Sequence, residues 1–272
     1  MDTIMVINAE DVTDAVAGLY RRINTELRPD VREAVERARE EEHSGTAREI
    51  LSLLLENERV AREEGLPLCQ DTGLAVAFVR LGARVVVTGG TLQEAIDAGV
   101  RRAVQEQPLR ASTVTGPLAR RNTGDNTPAI VHLEQVPGEG LSIGLIAKGG
   151  GAENMSRIRM LSPLDGREGV VDAVVDTVRS AGANACPPVI VGVGLGGDFE
   201  RAPLLAKRSL LRDLREPNPD PELADLEAEL LNRLNELGIG PQGFGGRTTA
   251  LAVAIEAAPC HIASLPVAVN LE

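Results

Sequence analysis

The chain is short of aromatic side chains and of lysine. Phe, Tyr and Trp together make up 1% of its 272 residues, and Trp is absent. Because the platforms on which nucleic-acid bases stack are built from aromatic rings, this composition argues against such a surface. Only two of the 28 basic residues are lysines, Lys148 and Lys207, and the others are arginines. An arginine-dominated composition is typical of a GC-rich genome.

Long apolar runs and a basic surface are also missing. No stretch of eighteen apolar residues occurs, so we expect no membrane-spanning helix. The N-terminal stretch MDTIMVINAEDVTD lacks the basic start and apolar middle of a signal peptide, which predicts a cytoplasmic protein. A net charge of −12 argues against nucleic acid as a partner, because phosphate binding needs a basic face. A local cluster of arginines can still bind a small acidic substrate.

Cysteine is scarce, odd in number and widely spaced. Cys69, Cys186 and Cys260 lie too far apart along the chain for a zinc ribbon or a thioredoxin-type pair. A disulfide framework is not expected in the cytoplasm. Two interpretations remain: inert core thiols, or ligands that the fold gathers from distant positions. Residues 65–73, GLPLCQDTG, place Cys69 beside an amide, a carboxylate and a hydroxyl, which a core thiol does not need.

Apolar periodicity predicts an α/β (mixed α+β) fold. Residues 1–64 are predicted to form a helical N-terminal region, and residues 65–272 a mixed α/β region that binds cluster and substrate. We expect the two regions to form one compact domain overall. Residues 216–220, EPNPD, are the best linker candidate. Helices are predicted from near Asn8, Pro29, Thr46 (as a cap), Thr91, Glu168, Phe199 and Pro221. Strands are predicted over 74–80, 83–87, 129–133, 141–147, 189–193, 248–255 and 261–270.

Five turns between the apolar segments combine glycine with charged or amide side chains. Glycine-rich turns let backbone N–H groups approach a ligand closely, which suits anions. Any one of these turns is compatible with ordinary loop chemistry, but five in one chain indicate a binding site built from loops. They lie at 69–73, 121–128, 148–151, 192–198 and 240–247.

The fourth of these turns suggests an alternative function. Gly192, Gly194 and Gly197 satisfy the G-x-G-x-x-G pattern after an apolar strand and before a helix, as in dinucleotide-binding proteins. This pattern makes a dinucleotide-dependent oxidoreductase the second enzymatic hypothesis. Asp198 and Glu200 argue against it, because their charges would repel a pyrophosphate at the helix N-terminus.

Seven motifs follow one another from residue 65 to the C-terminus: CQDTG, RNTGDNTPAI, KGGGAENMS, ANACPP, GVGLGGDFERAPLLAKRSLLR, GIGPQGFGGRTTAL and HIASLPVAVN. Together they resemble the α subunit of class I fumarate hydratase and L(+)-tartrate dehydratase. The resemblance implies an oxygen-sensitive [4Fe-4S] hydro-lyase. In such enzymes three cysteines hold the cluster and the fourth iron stays open to the substrate.

The resemblance also implies which cysteines bind the cluster. Cys69 and Cys186 match the first two ligands. In the family pattern the third cysteine follows the segment matching ASLPVAVN by a few residues, whereas the given chain ends at Glu272. Either Cys260 takes over this role, or the ligand lies beyond the given end, which we slightly favour. His261 is expected to be structural rather than an iron ligand.

Further matches concern the substrate, a four-carbon dicarboxylate. Asp71 resembles the catalytic acid/base carboxylate of the family, and Arg110 an arginine that clamps a substrate carboxylate through its planar fork. Fumarate/malate and tartrate/oxaloacetate chemistry are both compatible with the sequence. The residues expected to bind substrate are Gln70, Asp71, Arg110, Gly149, Gly150 and Gly151.

The family divides its active site between two subunits or domains. The resemblance therefore implies a β subunit as partner, association of two α–β pairs, and little activity for this chain alone. The uncertain third ligand keeps a non-enzymatic alternative open, namely a scaffold that retains the fold and has lost the cluster. Anaerobic purification distinguishes the hypotheses, because a cluster-bearing protein is brown and is bleached by air.

Overall fold

The computed structural model describes residues 4–272, and contacts along the chain divide it into two compact units. The first unit combines Met1–Leu27 with Asn57–Gly150, and the second combines Arg28–Glu56 with Gly151–Glu272. Three helices dominate the N-terminal part, and each unit has its own sheet. This confirms the predicted α/β class with a helical start.

The described residues form eight α-helices and nine strands, joined by loops and short 3-10 helices. The helices are α1 (Ala9–Thr25), α2 (Pro29–Glu41), α3 (Gly45–Glu64), α4 (Leu92–Glu106), α5 (Gly150–Met155), α6 (Gly166–Ala181), α7 (Arg201–Ser209) and α8 (Pro221–Asn235). The strands are β1 (Met5–Asn8), β2 (Leu74–Gly82), β3 (Val85–Thr88), β4 (Ile130–Val136), β5 (Leu141–Lys148), β6 (Arg157–Leu161), β7 (Val189–Gly196), β8 (Ala250–Ala258) and β9 (Leu265–Leu271).

In the first unit, β2 is the central strand of a three-stranded sheet. β4 pairs with it in parallel and β5 in antiparallel orientation, while β1 and β3 form a separate parallel pair. Helices α1 and α4 pack with this sheet around buried apolar residues such as Val16, Ile96 and Val100. The antiparallel register puts Lys148, the last residue of β5, opposite Leu74, the first residue of β2. The turn that precedes Leu74 and the turn that follows Lys148 are thereby brought together.

In the second unit, β7 lies inside a four-stranded sheet of order β6-β9-β7-β8. It pairs in parallel with β8 and in antiparallel orientation with β9. Helices α6 and α8 contribute to the main core, which includes Val174, Leu230 and Ile255. A smaller cluster joins Ala202 and Ala206 of α7 to the sheet. Since seven of the eight residues of β7 are buried, the strand reads as a continuous apolar run.

Helix ends follow the signals in the sequence. Thr91 and Glu94 form the reciprocal hydrogen bonds of a capping box at the start of α4. Asn8 caps α1, and Asp220 caps α8 ahead of a proline in the first turn. The cap of α3 differs from the prediction, because Ser44 rather than Thr46 accepts a backbone N–H, that of Ala47.

Several elements differ from the pattern-based prediction. Strands β1 and β6 and helix α5 were not predicted, because they are only four to six residues long and carry little periodicity. Residues 81 and 82 belong to β2 instead of forming a turn. Residues 216–220 do not separate the two units, since they lie within the second one, where Asn218 is buried and bonds to Glu227 and Ile255.

Candidate active site

The Cys69–Gly73 motif forms a tight turn between α3 and β2. Cys69 and Gln70 are exposed, whereas Thr72 and Gly73 are buried. The backbone N–H of Asp71 donates to the Cys69 sulfur over 3.4 Å. The Cys69 sulfur is therefore accessible from outside and lies in a turn fixed by a backbone hydrogen bond.

The carboxylate of Asp71 is held by three donors. Its Oδ1 accepts hydrogen bonds from the Gly73 N–H and the Ser112 hydroxyl, both over 3.0 Å. Its Oδ2 accepts from the Gly150 N–H over 2.7 Å. Burial by itself would raise the pKa of Asp71, but these hydrogen bonds and the charge of Arg110 together hold the pKa below its ordinary value. Asp71 is therefore an oriented, ionised carboxylate.

The buried side-chain amide of Asn126 holds the Cys69–Gly73 turn through hydrogen bonds. Asn126 is fully buried, and its Oδ1 accepts from the backbone N–H groups of Ser112 and Thr113 and from the Thr113 hydroxyl. Its Nδ2 donates to the Gly73 carbonyl and to the Tyr20 hydroxyl, each over 2.8 Å. Burial raises the pKa of the Tyr20 phenol well above its ordinary value. Ser112, Asn126 and Tyr20 were not predicted as site residues, although Asn126 belongs to the RNTGDNTPAI motif.

Gly73 is required by a close approach of two backbones. Its φ is +75°, and a Cβ at this position would lie 2.4 Å from the Lys148 carbonyl carbon. The same approach brings the Gly149–Gly150 segment to Asp71, since a Cβ on either glycine would lie within 3.7 Å of Asp71 Oδ2. Asp71 and the Gly149–Gly150 segment thus lie against each other in the first unit.

Arg110 lies next to the same turn. Its backbone N–H donates to the buried Thr72 hydroxyl over 2.8 Å, which fixes the start of the Arg110 side chain. The side chain is exposed, and its charge helps to lower the pKa of Asp71. An exposed guanidinium beside an ionised carboxylate is well suited to bind one end of a dicarboxylate.

Cys186 follows a short 3-10 helix, Gly182–Ala185, in the second unit. Its φ of +56° places it in the left-handed region, which non-glycine residues seldom adopt outside functional sites. The Gln242 side chain donates to the carbonyls of Cys186 and Pro187. At Gly243, a Cβ would lie 2.4 Å from that of Ala183. The 240–247 turn therefore packs on the Cys186 turn and holds it in a strained conformation.

The 240–247 turn is anchored by the buried side chain of Glu42. Its Oε1 accepts from the backbone N–H groups of His43 and Ser44, and its Oε2 from that of Arg247 over 2.8 Å. The Arg48 guanidinium donates to the Glu42 carbonyl. Burial would raise the pKa of Glu42, but the backbone N–H groups outweigh burial and lower it. Glu42 is thus expected to be ionised and structural.

Replacing Glu42 by Gln should destabilise the chain by about 2 kcal/mol at neutral pH, because an amide cannot accept all these charge-assisted hydrogen bonds. Since the folded-state pKa lies below the unfolded value of about 4.3, this contribution is present above pH 4.3 and is lost as the pH falls through the folded-state pKa. Urea unfolding of Glu42→Gln and wild type between pH 3 and pH 7 checks both effects.

Glu41→Gln is the matched control, because Glu41 is 60% exposed and lies 3.9 Å from Arg247. The Glu41→Gln variant should lose no more than about 0.5 kcal/mol of unfolding free energy at every pH. Equal destabilisation by the two variants would contradict the structural role assigned to Glu42.

Cys260 lies in an exposed loop, and its Sγ donates to the Ser264 carbonyl over 3.3 Å. This contact joins the two ends of the loop and is local to it. His261 Nδ1 accepts from the Ala263 N–H, a local turn contact. The role of Cys260 as a cluster ligand stays a prediction.

All three cysteines are free and exposed. Across residues 4–272, no three His, Cys, Asp or Glu side chains are grouped so that they could hold a metal ion. The donor chemistry at Cys69 and Cys186 nevertheless fits an iron–sulfur cluster, since both are accessible thiols in turns fixed by hydrogen bonds.

The glycines of the G-x-G-x-x-G pattern have a packing role. A Cβ on Gly192 would lie 2.1 Å from the Ala206 carbonyl oxygen, and one on Gly194 would lie 1.9 Å from that of Ala202. Both glycines therefore allow α7 to lie directly on β7. Asp198 Oδ1 accepts the N–H groups of Glu200 and Arg201 at the start of α7, where a pyrophosphate would have to bind. This geometry does not support the dinucleotide hypothesis.

Comparison with known proteins agrees with this arrangement of motifs. The Fumarate hydratase (Fumerase) family matches residues 13–272. The chain belongs to this family. The match includes most of α1 and so extends well upstream of the motifs that start at residue 65.

Curated relatives of this Fumerase-family chain carry a common name. A Methanocaldococcus jannaschii protein, provisionally named L(+)-tartrate dehydratase subunit alpha, is 41% identical over 267 residues, or 96% of this chain and 93% of that protein. The L(+)-tartrate dehydratase subunit alpha of Escherichia coli (strain K12) is 34% identical over 266 residues, or 95% and 86% respectively. That of Shigella boydii serotype 4 shows the same values. The family and these relatives support a hydro-lyase.

Among the helices of residues 4–272, none combines the length and the apolar character that crossing a bilayer requires.

Proposed function

We propose that the chain is the α subunit of a cytoplasmic, iron–sulfur-dependent hydro-lyase acting on a four-carbon dicarboxylate. The reaction is either the interconversion of malate and fumarate or the dehydration of L-tartrate to oxaloacetate. The observation that carries the proposal is the Asp71 carboxylate, which the Ser112 hydroxyl and two backbone N–H groups orient beside Arg110 and the glycine turn. Family membership supports the same reaction class.

In this proposal Cys69 and Cys186 hold a [4Fe-4S] cluster, and Cys260 is the candidate third ligand within the given chain. When bound, the cluster supplies a Lewis-acidic iron that polarises the hydroxyl and one carboxylate of the substrate. The backbone N–H that Cys69 accepts and the strained turn at Cys186 support the choice of these two thiols.

The remaining steps belong to side chains and backbone groups of this chain. Arg110 binds one substrate carboxylate through two parallel hydrogen bonds, and Gln70 contacts the substrate from the exposed side of its turn. Asp71 takes the proton from the carbon next to the one that loses hydroxide, and returns a proton in the hydration direction. Its Oδ2, with a single donor from Gly150, has the greater capacity to accept this proton. The Gly149–Gly151 turn lies near the second carboxylate and presents the N–H groups of Gly149 and Gly151 to it, while the Gly150 N–H donates to Asp71 Oδ2.

The partner in this proposal is a β subunit that completes the site, and two α–β pairs associate. The names of the relatives support this, since each is described as a subunit alpha. The chain alone should therefore show little turnover.

Anaerobic co-expression with the β-subunit gene of the same genome tests the proposal. We expect a brown protein whose visible absorption is bleached by air, and turnover of L-tartrate or of malate. Activity on one substrate alone decides between the two reactions. A colourless complex without turnover of either substrate would overturn the proposal, and would favour the scaffold hypothesis if the β subunit is still bound.

Two cysteine substitutions sharpen this test. Cys186→Ser should abolish both the visible absorption and the turnover, because a cluster loses a ligand. Cys260→Ser should do the same only if Cys260 is the third ligand, and should leave both unchanged if the ligand lies elsewhere. Retention of the full absorption by Cys186→Ser would contradict the assignment of this thiol.

A further inference from the structure

Of the two lysines of the chain, Lys148 is buried and Lys207 is partly buried. Lys148 adjoins the glycine turn in sequence, and Lys207 contacts a residue just after it. Lys148 is 1% exposed and directly precedes Gly149. The Lys207 side chain is 16% exposed and forms an ion pair with Glu153, which lies in α5 just after the glycines. In a chain whose other basic residues are all arginines, this placement indicates positions where a compact ammonium group is needed.

Glu153 is the centre of a polar cluster in the second unit. One carboxylate oxygen accepts from the Lys207 ammonium, and the other accepts from the Asn270 side chain over 2.8 Å. Asn270, 6% exposed, also donates to the Ser156 hydroxyl, and Ser156 accepts the Leu271 N–H. The cluster thus links α5 and the residue that follows it to α7 and β9.

Helix α5 depends on this cluster for its position. It is six residues long, and none of its residues is buried. Helices of this length are not stable by themselves, and most helical stability comes from tertiary contacts. Ala152 and Met155 pack only partly against the core. Because Glu153 is partly buried and paired with a cation, loss of its charge would leave the Lys207 ammonium without its partner.

We infer that Glu153, held by Lys207 and Asn270, is a positioning residue that fixes the Gly149–Gly151 turn for binding of the substrate carboxylate. This inference rests on the proposed function, in which that turn contacts the substrate. Glu153 acts through the backbone of α5: its carboxylate holds the helix, and the helix holds the N–H groups at its start.

Hydrogen exchange of the chain itself tests the inference without any need for activity. In Glu153→Gln, the amides of residues 149–155 should exchange at least about ten-fold faster than in wild type, while α4 keeps its protection. The matched control is Arg208→Met with Glu256→Gln, which neutralises another ion pair between α7 and the sheet. This control should leave exchange at 149–155 unchanged. Unaltered exchange in Glu153→Gln, or equal acceleration in the control, would overturn the inference.

Kinetics of the assembled enzyme provide the second readout. Glu153→Gln should raise KM for the dicarboxylate about ten-fold or more with kcat changed less than about three-fold, because interactions made equally in the ground and transition states are lost. A purely structural role would instead lower the amount of active enzyme, leaving KM unchanged, and that result would contradict the inference.

A double variant separates positioning from the cost of a buried unpaired charge. Glu153→Gln with Lys207→Met should regain most of the thermal stability lost in the single variant, since no unpaired charge remains. KM should stay raised, because the neutral pair no longer holds α5, and a return of KM to the wild-type value would overturn the inference. If the wild-type assembly has no hydro-lyase activity, the proposed function fails, and the exchange measurement still decides whether Glu153 positions the turn.

Discussion

Replacing Asp71 by Asn should lower kcat of the assembled enzyme about a thousand-fold, since a positioned acid/base group contributes 10²- to 10⁴-fold. An amide cannot take the substrate proton, and its NH₂ group would oppose one of the donors that now hold the carboxylate, namely Gly73, Ser112 or Gly150. Steady-state assays on malate and L-tartrate measure the loss. Unchanged turnover in this variant would show that the acid/base assignment is wrong.

Asp198→Asn is the matched control for this substitution. Asp198 also accepts a backbone N–H from the residue two positions further on, but it is exposed and its carboxylate holds the turn ahead of α7. The side-chain oxygen of Asn can accept the same N–H groups, so the variant should lose less than about 1 kcal/mol of stability. Its turnover should stay within about two-fold of wild type. A comparable loss of turnover in both variants would indicate a general effect of removing surface charge.

Replacing Gly194 by Ala should destabilise the chain by about 3 kcal/mol or more, because the added methyl group has no room in the core. Its Cβ would lie 1.9 Å from the Ala202 carbonyl oxygen, so α7 would have to move away from β7. β7 pairs with both β8 and β9, and a shift there disturbs the whole sheet of the second unit. Urea unfolding, or the soluble yield if the variant does not fold, measures the effect.

Gly18→Ala is the control for this substitution. Gly18 lies within α1, and a Cβ there would meet nothing within 4 Å. The change should stabilise the chain by about 0.5–1 kcal/mol, because alanine has the higher helix propensity. Normal stability of Gly194→Ala, together with NADH binding by the wild-type chain that this variant loses, would contradict the packing role and revive the dinucleotide hypothesis.

Local signals in the sequence predicted most of the regular elements. The capping box at Thr91 and Glu94 predicted the start of α4, and the apolar run at 189–193 predicted β7. These predictions succeeded because caps and periodicity act within a few residues. Helix α5 was not predicted, since its GGAENM sequence has weak helix propensity and the contacts of Glu153 and Ser156 stabilise it.

The sequence motifs also predicted part of the candidate site. Cys69, Asp71, Arg110 and the glycine turn were expected from the resemblance, and the structure places Asp71 against Gly150 and beside Arg110. Ser112 and Asn126 were missed because a serine or asparagine in a loop is common, and only its partners reveal a role.

By itself, the sequence determined the α/β class, the family and the chemical types at the site, because motifs and periodicity are properties of neighbouring residues. Tertiary structure alone decided which donors hold Asp71, since Ser112 and Gly150 lie 41 and 79 residues away along the chain. It also decided that Gly192 and Gly194 serve helix packing rather than phosphate binding. The physical reason is that pairing of β2 with β5 and packing of α7 on β7 create these contacts, and no local pattern encodes the partner of a strand or helix.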